Sequence, residues 1–231
     1  MSDFASNLEN VAQSYNLFRQ SKAYEFRNKQ RDFVNQIAQP VLQKFIEKDS
    51  ISTDNLTSLI QIFKVDCTKE NFTKYLRALN YDDEFTNDLI NRFEQINQRG
   101  YTGVGLAAIK KGSLKNEELE TVLSFLKDVY FADSEENIKL LVKKYIDKNI
   151  PMVKSGIFSP WIHYMHPNLI PIVNSVSKDY LKSLGLDNTN FLTIWDAIKQ
   201  VKEKVGEEDF GFVDYFFYKE MGNTEKWEIQ K

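Results

Sequence analysis

Apolar residues recur at three- and four-residue spacings along most of the chain, which is the period of an amphipathic α-helix. The pattern predicts helices throughout, and Pro40 should interrupt the helix that it falls in. Several helix starts carry a polar cap, namely Ser52 or Thr53, Thr68, Asp82, Ser134 and Asn174. We therefore predict an all-α fold, a multi-helix array of about ten helices.

A glycine-rich stretch between two helical segments spans residues 98–112 (QRGYTGVGLAAIKKG). Gly103 and Gly105, followed by Lys110 and Lys111, have the form of a helix-hairpin-helix turn, in which glycines let the backbone approach a phosphate. The stretch also matches the G-x-G-x-x-A of dinucleotide-binding folds, but the preceding residues are polar and helical where that fold needs a buried strand. A tight interhelical turn without a ligand is the open alternative.

A second stretch, residues 155–185 (SGIFSPWIHYMHPNLIPIVNSVSKDYLKSLG), organises the C-terminal half of the chain. It predicts two helices joined by a corner at His166-Pro167. Trp161, Tyr164 and Asn174 are candidates for a pocket that stacks on a nucleobase and hydrogen-bonds its edge. The alternative is that the two rings are core residues and that Asn174 caps the following helix.

The second stretch resembles the N-terminal helical region of McrB-like proteins, the motor subunits of modification-dependent restriction systems. There a segment of the form G-(aromatic)-SP-(apolar helix)-NP-x-x-(F/I)-P-I-(V/I)-N precedes the motor. The spacing from Val173 to Gly185 is also similar to that of helix-hairpin-helix glycosylases. Asn174 stands where those enzymes have a catalytic Asp and Pro160 where some have a catalytic Lys, so the resemblance implies the scaffold without the chemistry.

The McrB-like resemblance, which covers residues 99–205, implies a non-catalytic module that binds double-stranded DNA, with modified cytosine as a candidate signal. It also implies a downstream or partner nucleotide-hydrolysing motor domain and a nuclease, as in phage defence. No cofactor and no metal are implied. The implied DNA-binding residues are Gly103, Gly105, Lys110, Lys111, Lys154, Gly156, Ser159, Trp161, Tyr164 and Asn174.

Charge and composition narrow these possibilities only slightly. The net charge of −3 gives no general attraction to nucleic acid, although residues 99–204 contain more basic than acidic residues. The two histidines, His163 and His166, have no neighbouring ligand to complete a metal site. The single cysteine, Cys67, and the lack of a signal peptide predict a cytoplasmic protein. No apolar run approaches the roughly 20 residues that a membrane span needs, so no span is predicted.

Residues 1–98 form a predicted N-terminal sub-layer, and residues 99–231 form a helical domain with both glycine turns. In the first part, aromatic residues lie among cations, which is compatible with a nucleic-acid surface but is more typical of an amphipathic core helix. They are Tyr15, Phe18, Tyr24 and Phe26. Two other functions remain open: a protein-interaction module, favoured by the acidic net charge, and a glycosylase-like enzyme.

Overall fold

The computed structural model describes residues 2–96 and 113–221, apart from the side chains of residues 2 and 3. All regular secondary structure in these ranges is helical, which confirms the predicted all-α fold. The described α-helices are α1 (Ser2–Arg19), α2 (Lys22–Phe33), α3 (Gln39–Ile46), α4 (Thr53–Ile62), α5 (Lys69–Ala78), α6 (Asp83–Gln95), α7 (Asn116–Tyr130), α8 (Glu135–Asp147), α9 (Ser155–Met165), α10 (Ser175–Ser183), α11 (Phe191–Val205) and α12 (Phe210–Met221). None of them is long and apolar enough to cross a membrane.

The predicted helix caps are confirmed. Ser52, rather than Thr53, caps α4, and its side chain accepts a hydrogen bond from the backbone N–H of Asn55 at 3.2 Å. Thr68, Asp82 and Ser134 cap α5, α6 and α8 in the same way. Each cap satisfies an N–H group that has no partner within its helix, so these starts can be predicted from local sequence.

Pro40 interrupts the regular helix as predicted. A π-helical turn, Val34–Ala38, fills the space between α2 and α3, and the N–H of Gln39 donates to the carbonyl of Val34. Proline has no N–H and its ring crowds the carbonyl four residues earlier, so the wider turn accommodates Pro40 at the start of α3.

The described chain divides into two compact units. The terminal unit contains the residues up to Lys29 together with those from Phe158 onward, and the central unit is Gln30–Ile157. This grouping differs from the predicted parts 1–98 and 99–231, whose boundary lies outside the described residues. The first helix belongs with the C-terminal helices because it packs against α11, a pairing that local sequence does not indicate.

In the central unit, α4 packs on α5, α5 on α6 and α7 on α8. Stacked rings support two of these pairings, with Phe72 and Phe93 at a centroid distance of 4.0 Å and Phe125 and Tyr145 at 4.1 Å. In the terminal unit, α12 packs against α10 and α11 around the buried rings of Trp195 and Phe216. Burial of such aromatic side chains is the main source of stability in each unit.

The corner between α9 and α10 lies in the terminal unit. The helix α9 ends at Met165 and α10 begins at Ser175, which confirms the predicted pair of helices at His166-Pro167. Between them, the segment 170–173 has no helical structure and is buried. A buried non-helical segment needs hydrogen-bond partners for its backbone, and α9 provides two of them.

Candidate nucleic-acid interface

Four of the predicted DNA-binding residues lie outside the described residues. They are Gly103, Gly105, Lys110 and Lys111. The predicted helix-hairpin-helix turn at Gly103 therefore stays a prediction.

The central unit carries four exposed lysines at the end of α8 and in the turn that follows it. We call Lys143, Lys144, Lys148 and Lys154 the lysine surface. No described acid lies within ion-pair distance of them, whereas Lys139 on the same helix pairs with Glu135 at 2.7 Å. Lys154 donates a hydrogen bond to the side-chain oxygen of Asn149. This surface has the charge and the exposure that phosphate contacts require.

An open groove of about 510 Å³ runs between α7 and α8 beside part of the lysine surface. Acids line one side of it and lysines the other, over a floor that includes the stacked rings of Phe125 and Tyr145. The charged lining residues are Glu117, Glu120, Asp128, Lys144 and Lys148. The acids weaken the attraction of a polyanion on this side, so Lys143 and Lys154 are the better phosphate contacts.

Gly156 lies in the first turn of α9, directly after the lysine surface. Its backbone is not in the left-handed region, and a Cβ added to it would have no atom within 4 Å. Glycine is thus required here neither by the backbone conformation nor by packing inside the protein. The absence of a side chain leaves the first turn of α9 open to an external group, which is the arrangement that a backbone-phosphate contact uses.

Three predicted base-reading or phosphate-binding residues on α9 are buried, which is a correction to their predicted role. Trp161 is 1% exposed, and Ser159 and Tyr164 are 0% exposed. The two rings therefore have no free face on which a base could stack, as the core alternative predicted. The reason is the apolar character of α9, all of whose residues from Ile157 to Met165 are buried.

Ser159 and His163 lie one helical turn apart on α9 and hold the extended segment 170–173. The hydroxyl of Ser159 donates to the carbonyl of Val173 and accepts from its N–H, both at 3.1 Å. The Nδ1 atom of His163 lies 2.7 Å from the carbonyl oxygen of Ile170. A carbonyl only accepts, so Nδ1 carries the proton in this contact. Both side chains thus satisfy buried backbone groups and are structural.

Asn174 caps α10, as the alternative for this residue predicted. Its side-chain oxygen accepts from the N–H of Ser177 at 2.9 Å, and the Ser177 hydroxyl receives the N–H of Asn174 in return. Its amide nitrogen also donates to Asp214 Oδ1 at 3.0 Å. With both ends of the amide engaged, Asn174 has a complete structural role at the start of α10.

A cluster of charged side chains lies in the interior of the terminal unit, and it was not predicted. It combines the buried side chains of Arg27 in α2, His163 in α9 and Asp209, which directly precedes α12, with the half-buried Asp214 of α12. His163 Nε2 lies 3.9 Å from Asp209 Oδ1, and Arg27 is 2% exposed. Gly211 packs against the guanidinium of Arg27, because a Cβ at this position would lie 2.1 Å from Nη2.

The cluster shifts two pKa values in opposite directions. Burial lowers the pKa of His163 to about 4; Asp209 and the Ile170 carbonyl oppose the shift, and the Arg27 charge adds to it. Burial raises the pKa of Asp214 to about 6, against the opposing effects of Arg27 and the Asn174 hydrogen bond. At neutral pH, His163 is therefore neutral. Asp214 is ionised, but its pKa of about 6 lies only about one pH unit below neutrality.

The aromatic and cationic residues at the start of the chain are divided between core and surface. Tyr15 and Phe18 are 0% exposed, which agrees with the core alternative. The hydroxyls of Tyr15 and Tyr24 both donate to Glu207, at 3.0 and 3.2 Å. Phe26 remains 39% exposed. Most of this sequence pattern therefore serves packing within the terminal unit, and Phe26 is the part that reaches the surface.

Among the described residues, no group of three or more histidine, cysteine, aspartate or glutamate side chains is arranged to hold a metal ion. Cys67 is buried in the central unit.

Comparisons with protein-family models, curated proteins and solved structures give no match to this chain. The resemblance to the McrB-like region and to helix-hairpin-helix glycosylases therefore stays a prediction from the sequence, and the lysine surface with the open start of α9 is the candidate site that the described geometry provides.

Proposed function

We propose that this chain is a non-catalytic DNA-binding module that targets a McrB-like restriction system of the cytoplasm to duplex DNA, with modified cytosine as the candidate signal. The observation that carries the proposal is the lysine surface, which leads directly to the open first turn of α9 at Gly156. Lysines attract the phosphates over a distance, and unpaired N–H groups at a helix start bind an anion at contact.

The burial of Trp161 and Tyr164 limits the form of this proposal. Phosphate contacts position a protein on DNA but carry no sequence information. Selectivity for a modified base would therefore come from residues other than these two rings. The motor domain and the nuclease that the resemblance implies would act after this module has bound.

The non-catalytic character is supported by the position of Asn174. It stands where the glycosylases that the chain resembles have a catalytic Asp, and here both ends of its amide are engaged in the α10 cap and the bond to Asp214. A glycosylase-like enzyme would need a free carboxylate at this place.

Duplex binding measured at two salt concentrations tests the proposal. Fluorescence anisotropy would follow short duplexes that are unmodified or carry methylated or hydroxymethylated cytosine. We expect Lys143→Glu/Lys154→Glu to weaken binding and to make the negative slope of log K against log salt shallower by about 2, since each lost phosphate contact removes about one counterion. Lys178→Glu/Lys182→Glu on α10 is the control with the same change in charge. Lys110→Glu/Lys111→Glu tests the contribution of residues 98–112.

Gly156→Ala separates the phosphate contact from folding. A Cβ here meets nothing within 4 Å, so the variant should fold at least as well as the parent chain. We expect it to bind duplex DNA more weakly, because the methyl group keeps a phosphate away from the backbone. The proposed function would be rejected if the parent chain showed no salt-dependent binding to the duplex, and if Gly156→Ala, the lysine-surface variant and Lys110→Glu/Lys111→Glu all bound the duplex as the parent chain does.

A protein-interaction module is the second candidate, and exposed apolar side chains of the central unit favour it. Phe131 is 77% exposed at the end of α7, and Leu140 on α8 is 52% exposed. An apolar docking surface responds little to added salt, whereas phosphate contacts weaken steeply. Salt dependence thus distinguishes the two functions in the same experiment.

A further inference from the structure

A group of aromatic side chains reaches the surface of the terminal unit where α2 and α12 meet. Phe26 lies 5.9 Å from Tyr215, and Tyr215 lies 6.1 Å from Tyr218, measured between ring centroids. The two tyrosine rings are nearly parallel, with an interplanar angle of 14°. We call Phe26, Tyr215 and Tyr218 the aromatic row. Phe26 is 39% and Tyr218 is 53% exposed, which is high for large aromatic side chains.

The aromatic row is held from below by the core. Tyr215 contacts the buried ring of Phe18 at 6.3 Å, and Phe18 in turn contacts Phe216 at 5.6 Å. Rings that are supported in this way lose little conformational entropy when a ligand stacks on them. The row is therefore a preorganised stacking surface rather than a set of mobile side chains.

Positive charge lies next to the rings. Lys219 Nζ is 5.5 Å and the guanidinium carbon of Arg27 is 6.0 Å from the centroid of Tyr215. Of the neighbouring acids, Glu25 pairs with Lys29 at 2.7 Å, and Asp214 lies close to the charge of Arg27 in the cluster described above. Arg27 itself is 2% exposed, so an incoming anionic group near Tyr215 and Tyr218 meets the charge of Lys219.

We propose that the aromatic row binds single-stranded DNA, with bases stacked on Phe26 and Tyr218 and a phosphate held by Lys219. The choice of DNA rests on the proposed function, but the site is separate from the lysine surface. Exposed aromatic faces beside cations are the combination that sequence-tolerant single-strand binding uses. An apolar protein helix would cover the rings but leave the charge of Lys219 without a counterpart, so the observations favour the nucleic acid.

The test uses a fluorescent oligothymidine of about 12 nucleotides, a length within the usual site size of single-strand binding surfaces. Tyr218→Ala and Phe26→Ala should each weaken binding about tenfold, the loss of roughly one stacked base. Tyr218→Phe keeps the ring and should bind like the parent chain. Phe131→Ala is the control, since it removes a ring of the central unit that is more exposed than either Phe26 or Tyr218.

Two further measurements make the result specific to stacking. An abasic strand of the same length keeps the phosphates but lacks the bases, so we expect it to bind the parent chain about a hundredfold more weakly than oligothymidine does, because stacking on both Phe26 and Tyr218 is lost. The abasic strand should bind Tyr218→Ala as strongly as it binds the parent chain. Duplex binding by the two ring variants should equal that of the parent chain. Light scattering of each variant shows whether the row instead mediates association between copies of the chain.

The outcomes separate this inference from the proposed function. Duplex binding that depends on the lysine surface, together with single-strand binding that ignores Tyr218 and Phe26, would overturn the inference alone. Single-strand binding that depends on the row, without any duplex binding, would support the inference and reject the proposed function. A parent chain that does not bind the oligonucleotide would overturn the inference. A dimer that Tyr218→Ala dissociates would also overturn it, and would assign the row to association between copies of the chain.

Discussion

The opposed titrations of His163 and Asp214 make a prediction about stability and pH. Folding lowers the pKa of His163 from 6.5 to about 4, so the unfolded chain binds the proton first as the pH falls. This contribution destabilises the fold between pH 6.5 and pH 4, by about 3 kcal/mol in total. Folding raises the pKa of Asp214 from 3.8 to about 6, so its contribution is lost in the other direction, as the pH rises from 3.8 to 6. Its size is also about 3 kcal/mol.

In the parent chain the two contributions to the free energy of unfolding nearly cancel between pH 4 and pH 6. A variant that lacks one titrating residue should therefore show the pH dependence of the other. Asp214→Asn can still accept the hydrogen bond of Asn174, but it no longer titrates. We expect its free energy of unfolding, relative to the parent chain, to fall by about 3 kcal/mol as the pH is lowered from 6 to 4. His163→Gln should show the reverse, a relative gain of similar size over the same range.

Urea unfolding followed by circular dichroism at half-unit pH steps from 4 to 7 provides the measurement. Comparing each variant with the parent chain at the same pH removes the titration of all other carboxylates. A constant shift between variant and parent across this range is also expected, because Arg27 loses part of its compensation in Asp214→Asn. If both differences stay flat with pH, the assignment of opposed titrations to this cluster is wrong.

Two further predictions concern buried contacts of the terminal unit. Ser159→Ala leaves the buried N–H and C=O of Val173 without the hydroxyl and should lower the free energy of unfolding by about 2–4 kcal/mol. Ser183→Ala, whose hydroxyl donates to the carbonyl of Tyr180 one turn earlier, should cost less than about 1 kcal/mol. An equal loss in both variants would refute the role of Ser159 in holding segment 170–173. Gly211→Ala places a Cβ 2.1 Å from Arg27 Nη2 and should lower the free energy of unfolding by about 2 kcal/mol or more. Gly156→Ala meets no atom within 4 Å and should leave the free energy of unfolding unchanged or raise it by up to about 1 kcal/mol. Thermal unfolding compares the two glycine variants, and a harmless Gly211→Ala would show that Arg27 is not fixed against α12.

The features that sequence predicts well here are local. A cap at Ser134 or Asn174 needs only the next three residues, and the amphipathic period predicts a helix wherever the apolar face is packed. Sequence also predicts that Pro40 interrupts the helix, but not that a π-helical turn results, because that turn is buried against α6 and depends on this tertiary contact.

The buried charge cluster could not be predicted, because its members meet only after folding. Arg27 and Asp209 are typical surface residues by type, and nothing in the neighbouring sequence marks them as buried. The one available signal was Gly211 between two phenylalanines, since a glycine inside a helix often marks a close approach. Conversely, Trp161 and Tyr164 resemble base-reading residues in sequence but are core residues, because α9 is buried on all sides from Ile157 to Met165.

Asn174→Asp tests whether the glycosylase-like position tolerates a carboxylate. The new side chain would keep the cap of α10, since aspartate caps as well as asparagine. It would however face Asp214 across the 3.0 Å hydrogen bond that Asn174 now donates, so two carboxylates would have to share one proton. We expect the variant to lose about 2 kcal/mol of stability relative to the parent chain between pH 5 and pH 8. Asn174→Ser removes only the hydrogen bond that lowers the pKa of Asp214, so its loss over the same range should be smaller. Urea unfolding at the two pH values distinguishes them. A variant that is as stable as the parent chain at pH 8 would mean that this position can hold an ionised carboxylate, and the enzyme alternative would regain its main requirement.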